Sequence, residues 1–212
     1  MERKHNPHLI YFADPMCSWC WGFSPVIMDM EQTFELPVRM VMGGLRAGTT
    51  TPMNDSDKAS MREHWERVHA MTGQPFDWRF FERDDFVYDT EPACRAVVAL
   101  RRHGQGLAAL HRMQQAFYAR NLDVTDSAQL ARVAAESGLE GDQFLEAWHS
   151  DEVTEETRWD FSLTWSSGVR GFPTLAAGTD KDEAYNLITR GYQSRDAVFP
   201  IVERWLAGQT NS

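Results

Sequence analysis

The reading of the chain turns on Asp14-Pro15-Met16-Cys17-Ser18-Trp19-Cys20-Trp21-Gly22-Phe23. Two cysteines stand where an apolar run, Leu9-Ile10-Tyr11-Phe12-Ala13, gives way to a helical pattern. In that pattern Phe23, Ile27, Met30 and Phe34 recur at the spacing of one helical face. Cys17 and Cys20 are therefore expected in the first turn of a helix that follows a buried strand. A helix N-terminus carries partial positive charge and unpaired N–H groups, and both favour a thiolate over a thiol. Residues at i and i+3 face the same way, close enough for a disulfide to close with little strain. That is the chemistry of reversible dithiol–disulfide exchange. The competing reading of such a pair is half of a zinc site. With Cys94 as the remaining cysteine, that site would have to recruit scattered histidines, so no metal is expected.

Pro25 lies five residues beyond Cys20 and should kink the helix by removing one backbone bond. A strand, a CxxC opening a helix and a proline at this offset together resemble the thioredoxin fold. The fuller string DPMCSWCWGF is closer to the DsbA family, and within it to the FrnE-like subfamily of CxxC proteins. The resemblance implies an α/β protein in which a thioredoxin fold is interrupted by a large all-helical insertion. It implies that Cys17 attacks a substrate disulfide and Cys20 resolves the mixed disulfide. Gly171-Phe172-Pro173-Thr174 matches the cis-proline loop that faces the CxxC in this family, so a cis Phe172–Pro173 bond is expected. Trp19, Phe172, Pro173 and Thr174 would then contact substrate. Beyond the redox-active Cys17–Cys20 disulfide no cofactor is expected, with glutathione as a candidate co-substrate.

Outward from the motif, Val38–Met42 reads as a second strand closed by Gly43-Gly44, making a parallel β-α-β crossover. From Thr49 the pattern turns helical. Asp55 or Ser56 could cap a helix through His69, ended by Gly73; Thr90 caps one beginning Glu91-Pro92, ended by Gly104. Further helices are predicted over 106–120, from Asp126 or Ser127 to near Gly138, from Asp142 toward Trp148, and over 152–165. Their aromatics, Trp65, Trp78, Phe80, Phe117, Phe144, Trp148 and Trp159, read as core. Thr174–Ala177 and Ala184–Thr189 make a hairpin, and a last helix from Asp196 carries Val198, Ile201, Val202 and Trp205 on one face. The division expected is 1–48 and 167–212 for the two parts of the thioredoxin fold and 49–166 for the insertion, as in DsbA-like proteins.

Two departures from the family pattern matter. The buried acid common six residues before the first cysteine is replaced by Tyr11, and the nearer Asp14 is the candidate for proton transfer with Cys20, or else a turn residue. The intervening pair is Ser18-Trp19 rather than Pro-His, so no imidazolium sits inside the motif. Met16, Trp19, Trp21, Phe23 and Phe172 would form an apolar rim around the sulfurs. Cys94 reads as a small buried hydrophobe; His64, His69, His103, His111 and His149 have no ligand-like spacing and read as surface or core.

The chain has 212 residues, 42% of them hydrophobic, enough for a sizeable core. Its net charge of −10 argues against broad attraction to nucleic acid or anionic membrane. The apolar run before Asp14 is too short for a secretory signal or a membrane span, so a soluble cytoplasmic protein is expected. In a reducing compartment a CxxC is catalytic more often than structural. The function expected is an enzyme of thiol–disulfide exchange, of reductase or isomerase type, acting on protein or small-molecule disulfides as a monomer or dimer. Kappa-class glutathione transferases and chromene-carboxylate isomerases share the architecture but place serine where Cys17 stands. A non-enzymatic adaptor module on the same fold is the third reading.

Overall fold

A computed structural model describes residues 6–182 and 184–209. The apolar run near the N-terminus forms strand β1 (His8–Ala13). Apolar on both faces, it suits only a central position with partners on either side and layers above and below. It pairs in parallel with β2 (Val38–Met42) and antiparallel with β3 (Thr174–Gly178), so Tyr11 lies between Met40 and Leu175. Strand β4 (Asn186–Arg190) pairs with β3 and completes the order β2-β1-β3-β4. Strands from the two ends of the chain thus meet at β1. The predicted start of β4 at Ala184 is two residues early. The hairpin carries an irregularity between Leu175 and Ala176, and periodicity does not reveal a bulge. Tyr185 falls outside the strand and sets its ring edge-on to His8, 5.5 Å away.

Helix α1 (Ser18–Phe34) joins β1 to β2, with Pro25 inside it and Phe23, Ile27 and Met30 fully buried. A Cβ on Gly22 would stand 3.0 Å from Val68 and 3.1 Å from Thr72, so glycine there sets how closely α2 (Asp55–Thr72) approaches. Neither Asp55 nor Ser56 caps α2. Asn54 does, accepting from the Asp57 N–H at 2.9 Å while Asp57 accepts from the Asn54 N–H at 3.2 Å.

The chain then makes a short 3-10 turn (Trp78–Glu82), α3 (Glu91–Arg101) and α4 (Gly106–Gln114). It continues through α5 (Ser127–Ala135), α6 (Gly141–His149) and α7 (Asp151–Ser166), and α8 (Arg195–Gln209) follows β4. Thr90 stands at the start of α3 without capping it; its hydroxyl instead accepts from the Arg46 N–H at 3.1 Å. The single helix predicted over 106–120 is α4 followed by a π turn at Gln115–Ala119. The wider turn buries the adjacent Phe117 and Tyr118 together, which 3.6-residue periodicity does not allow for. Trp65 anchors the aromatic core, with ring centroids 4.9 Å from each of Phe76, Phe80 and Phe81.

Trp159, predicted to be core, is 61% exposed. The buried face of α7 is instead Val153, Thr157, Asp160 and Thr164. Asp160 and Thr164 on that face, with Arg101 of α3, serve the outer edge of β2. Asp160 accepts from the Met42 N–H at 2.9 Å, Thr164 donates to the Met42 carbonyl at 3.1 Å, and Arg101 donates to the Met40 carbonyl at 2.6 Å. A covered strand edge must have its backbone groups partnered, and here helix side chains replace a fifth strand. Among the described residues no helix is long and apolar enough to cross a membrane.

Candidate active site

Cys17 is the N-cap of α1, at the carboxyl end of β1. Its N–H donates to the Asp14 carbonyl at 3.1 Å and its carbonyl accepts from the Trp21 N–H at 3.0 Å, so one tight turn over 14–17 joins strand to helix. The side chain makes no capping bond; the thiol, 6% exposed, points across at the Phe172 carbonyl, 3.7 Å away. Cys20 lies on the first turn and is fully buried. Burial pushes the Cys20 thiol well up, and its hydrogen bond with Cys17 and the charge there push it further, against a hydrogen bond from the Asp14 backbone. Cys17, Cys20 and Cys94 are all free thiols.

The Phe172–Pro173 peptide is cis, as the family pattern leads one to expect. Phe172 packs where a side chain on Gly43 would stand, since a Cβ there would collide with its ring. The glycine at the end of β2 therefore seats the residue that faces Cys17. Trp19 packs on Tyr192 at 5.7 Å. Two cavities flank this pair. One, of about 370 Å³, opens at Cys17 and is walled by Trp19, Arg46, Met61, His64 and Phe172. The other, of about 250 Å³, lies between Trp19, Met71, Phe172 and Tyr192. A larger cavity of about 800 Å³ runs along β2 and α7 around Trp159, and no cysteine lines it.

The predicted site residues are thus only partly gathered. Trp19 and Phe172 line both small cavities. Thr174 is buried, its hydroxyl donating to the Gly171 carbonyl at 2.8 Å, and neither it nor Pro173 lines either cavity. Of the expected rim, Met16 lines the larger of the two, while Trp21 and Phe23 turn inward. Trp21 stacks on Tyr118 and donates from Nε1 to the Pro75 carbonyl at 3.0 Å. What sequence reading missed is the wall from α2: Asp57, Ser60, Met61, His64 and Trp65 all face the cavity. They recur at i, i+3, i+4, i+7 and i+8, a helical face that periodicity could have marked. His64 therefore shares a cavity with Cys17. His111, by contrast, lies in the packing around α1, with Nδ1 2.8 Å from the Ser24 hydroxyl.

Asp14 is fully buried. One carboxylate oxygen accepts from the Met16 N–H at 2.9 Å; the other accepts from the Leu45 N–H at 2.7 Å and the Cys94 thiol at 3.4 Å. Burial pushes its carboxyl up and those donors, with Thr90, pull it back; among the described residues no cationic side chain acts on it. Cys94 is buried as expected, but it is a hydrogen-bonding partner rather than mere filling. Tyr11, at the family's acid position, has a buried hydroxyl with no partner in hydrogen-bond geometry. Burial and the nearby Cys20 and Cys17 push it well up, so it holds its proton.

The sequence matches the DSBA-like thioredoxin domain over residues 8–195. The chain belongs to that family. Its DSBA-like architecture is closely similar to that of a candidate protein disulfide isomerase from Nitrosomonas europaea. That match has 36% identity and a TM-score of 0.86, covering 96% of this chain and 98% of the other. It is also similar to the cytosolic disulfide reductase DsbM from Pseudomonas aeruginosa, at 29% identity and a TM-score of 0.76, covering 96% and 98%. DsbM has also been solved with GSH. Among curated proteins, the ClpXP adapter protein SpxH of Bacillus subtilis is 25% identical over 96% of this chain and 69% of that protein.

Proposed function

We propose that this DSBA-like protein is a cytoplasmic thiol–disulfide oxidoreductase of reductase or isomerase type. The observation that carries the reading is the asymmetric pair: Cys17 at the helix start on an open cavity, Cys20 sealed one turn below. The Cys17 thiolate attacks one sulfur of a substrate disulfide, forming a mixed disulfide and releasing the other sulfur as thiolate. Cys20, deprotonated, then attacks the Cys17 sulfur, the mixed bond breaks, and the second substrate thiolate leaves. Two electrons have passed to the substrate, and the Cys17–Cys20 disulfide must be reduced by an external thiol. Asp14 is the proton acceptor for Cys20 in this reading.

Glutathione is the thiol we assign to that role. Arg46 on the wall beside Cys17 offers countercharge to its carboxylates, His64 a ring nitrogen for hydrogen bonding, and Asp57 countercharge to the ammonium. The solved GSH form of DsbM supports the choice. The absence of an imidazolium between the cysteines supports a reducing rather than a strongly oxidising potential, because a stabilised thiolate is what makes such a pair oxidising. The adapter relatives favour a second reading, a protein-binding module in which the thiols are dispensable.

Insulin reduction with glutathione as donor separates the two. Cys17→Ser is expected to abolish turnover and Cys20→Ala to accumulate mixed disulfides. Turnover unchanged in Cys17→Ser would refute the enzymatic reading and favour the module.

A further inference from the structure

The chemistry at Cys20 requires a proton acceptor inside the protein, since Cys20 is fully buried. Asp14 is the buried carboxylate of the turn that leads into α1: its carbonyl accepts from the Cys17 N–H at 3.1 Å, and its charge acts on the Cys20 thiol. A buried carboxylate with no cation beside it tends to hold a proton, and a protonated Asp14 accepts nothing. Four donors oppose this. Two are backbone N–H groups of Met16 and Leu45, which any sequence would supply. The other two are side chains, the Thr90 hydroxyl and the Cys94 thiol, the latter delivered from α3 at 3.4 Å.

We propose that Cys94 is a positioning residue: its thiol holds the Asp14 carboxylate in the ionised state that accepts the Cys20 proton as Cys20 attacks the mixed disulfide at Cys17. The inference rests on the exchange reading given above. The step balances. Cys20 loses its proton to Asp14, its sulfur bonds to the Cys17 sulfur, the Cys17–substrate bond breaks, and the substrate leaves as a thiolate while the Asp14 proton passes on to solvent. Cys94 is fitted to donate rather than react. It is fully buried, and burial together with the Asp14 charge keeps it a thiol.

Among the described residues, Tyr11 from β1 acts on Cys20, while Tyr88 and Thr90 from the segment before α3 and Tyr118 from the π turn stand around Asp14. Tyr88 and Tyr118 are held protonated by burial, and Tyr88 donates to the Met16 carbonyl. Glu91 acts on Cys94 only as a like charge, and Arg46 lies over the Tyr88 ring at 5.5 Å.

The test is a stopped-flow reaction of the reduced protein with an aromatic disulfide reagent. One coloured thiolate is released as Cys17 is modified and a second as Cys20 closes the ring, so the two steps are read separately across pH. Asp14→Asn should slow the second phase by about a hundredfold or more while sparing the first. Cys94→Ala should move the acid limb of the second phase to higher pH. The rate is then expected to fall roughly threefold to tenfold on the acid side and to return to the wild-type value on the alkaline side. Cys94→Ser, which keeps a donor, should restore the wild-type midpoint. A second phase whose midpoint is unmoved in Cys94→Ala, or equally moved in Cys94→Ser, would overturn the proposal, as would an unaffected Asp14→Asn. Loss of the first phase in the wild type would instead overturn the exchange reading, and the inference with it.

Discussion

Asp14 and Asp160 are buried to nearly the same degree, 0% and 1% exposed, and each accepts hydrogen bonds from backbone N–H groups at a strand end. They differ in what else reaches them. Asp160 is bound by Arg101 at 2.8 Å, and Arg101 is held in turn by Glu156, which also binds Arg102. Asp14 has a thiol. A carboxylate locked to a guanidinium is a brace, since losing its charge would strand the cation. One whose side-chain donors are all neutral can take up a proton without stranding a charge. The same residue type at the same depth is thus structural at the edge of β2 and chemical beside the CxxC, and the countercharge decides which.

The hardest blow to this contrast is Asp160→Ala. It leaves Arg101 partly uncompensated and the Met42 N–H without a partner, and is expected to cost about 3–5 kcal/mol in urea unfolding. A loss under 1 kcal/mol, on that scale, would show that the brace is not one.

The pH dependence of stability sharpens the other side. Burial raises Asp14 in the folded protein, so the folded state holds that proton more tightly than the unfolded chain. The stability this contributes is full below the unfolded carboxylate value of about 4 and is lost as pH rises through the folded value. Asp160 is also raised by burial, with Arg101 opposing, but it is present in both proteins compared. Asp14→Asn should therefore gain on wild type as pH rises from about 4, by at most about 1.4 kcal/mol per pH unit. A difference that is flat with pH would mean that Asp14 does not titrate between these states.

The smallest effect is expected from Thr164→Val, which removes one neutral hydrogen bond to the Met42 carbonyl. It should cost about 0.5–1.5 kcal/mol. A loss as large as that of Asp160→Ala would place the strength of the edge in neutral bonds and not in the ion pair.

Much of this was legible without coordinates. The apolar runs and the period-3.6 stripe marked β1, α1 and β2 almost to the residue, and Cys17 stands at the helix start because the apolar stripe begins just after it. Such features depend on neighbours within a turn or a strand, and the order of residues records them directly. The errors came where a local rule was overridden. Asn54 displaced the expected caps, a π turn broke the helix over 106–120, and the sheet edge took the inner face of α7 and turned Trp159 outward.

The sequence by itself determined the strand and helix order, the position of the CxxC at a helix start and the residue types able to exchange disulfides. Only the tertiary structure decided what surrounds them. The Cys94 thiol reaches Asp14 across 80 residues, the Met42 N–H reaches Asp160 across 118, and Cys17 meets the Phe172 carbonyl across 155. Periodicity carries no information at those separations. Whether a buried carboxylate meets an arginine or a thiol depends on which helix the packing brings against it, and that contact sets its chemistry.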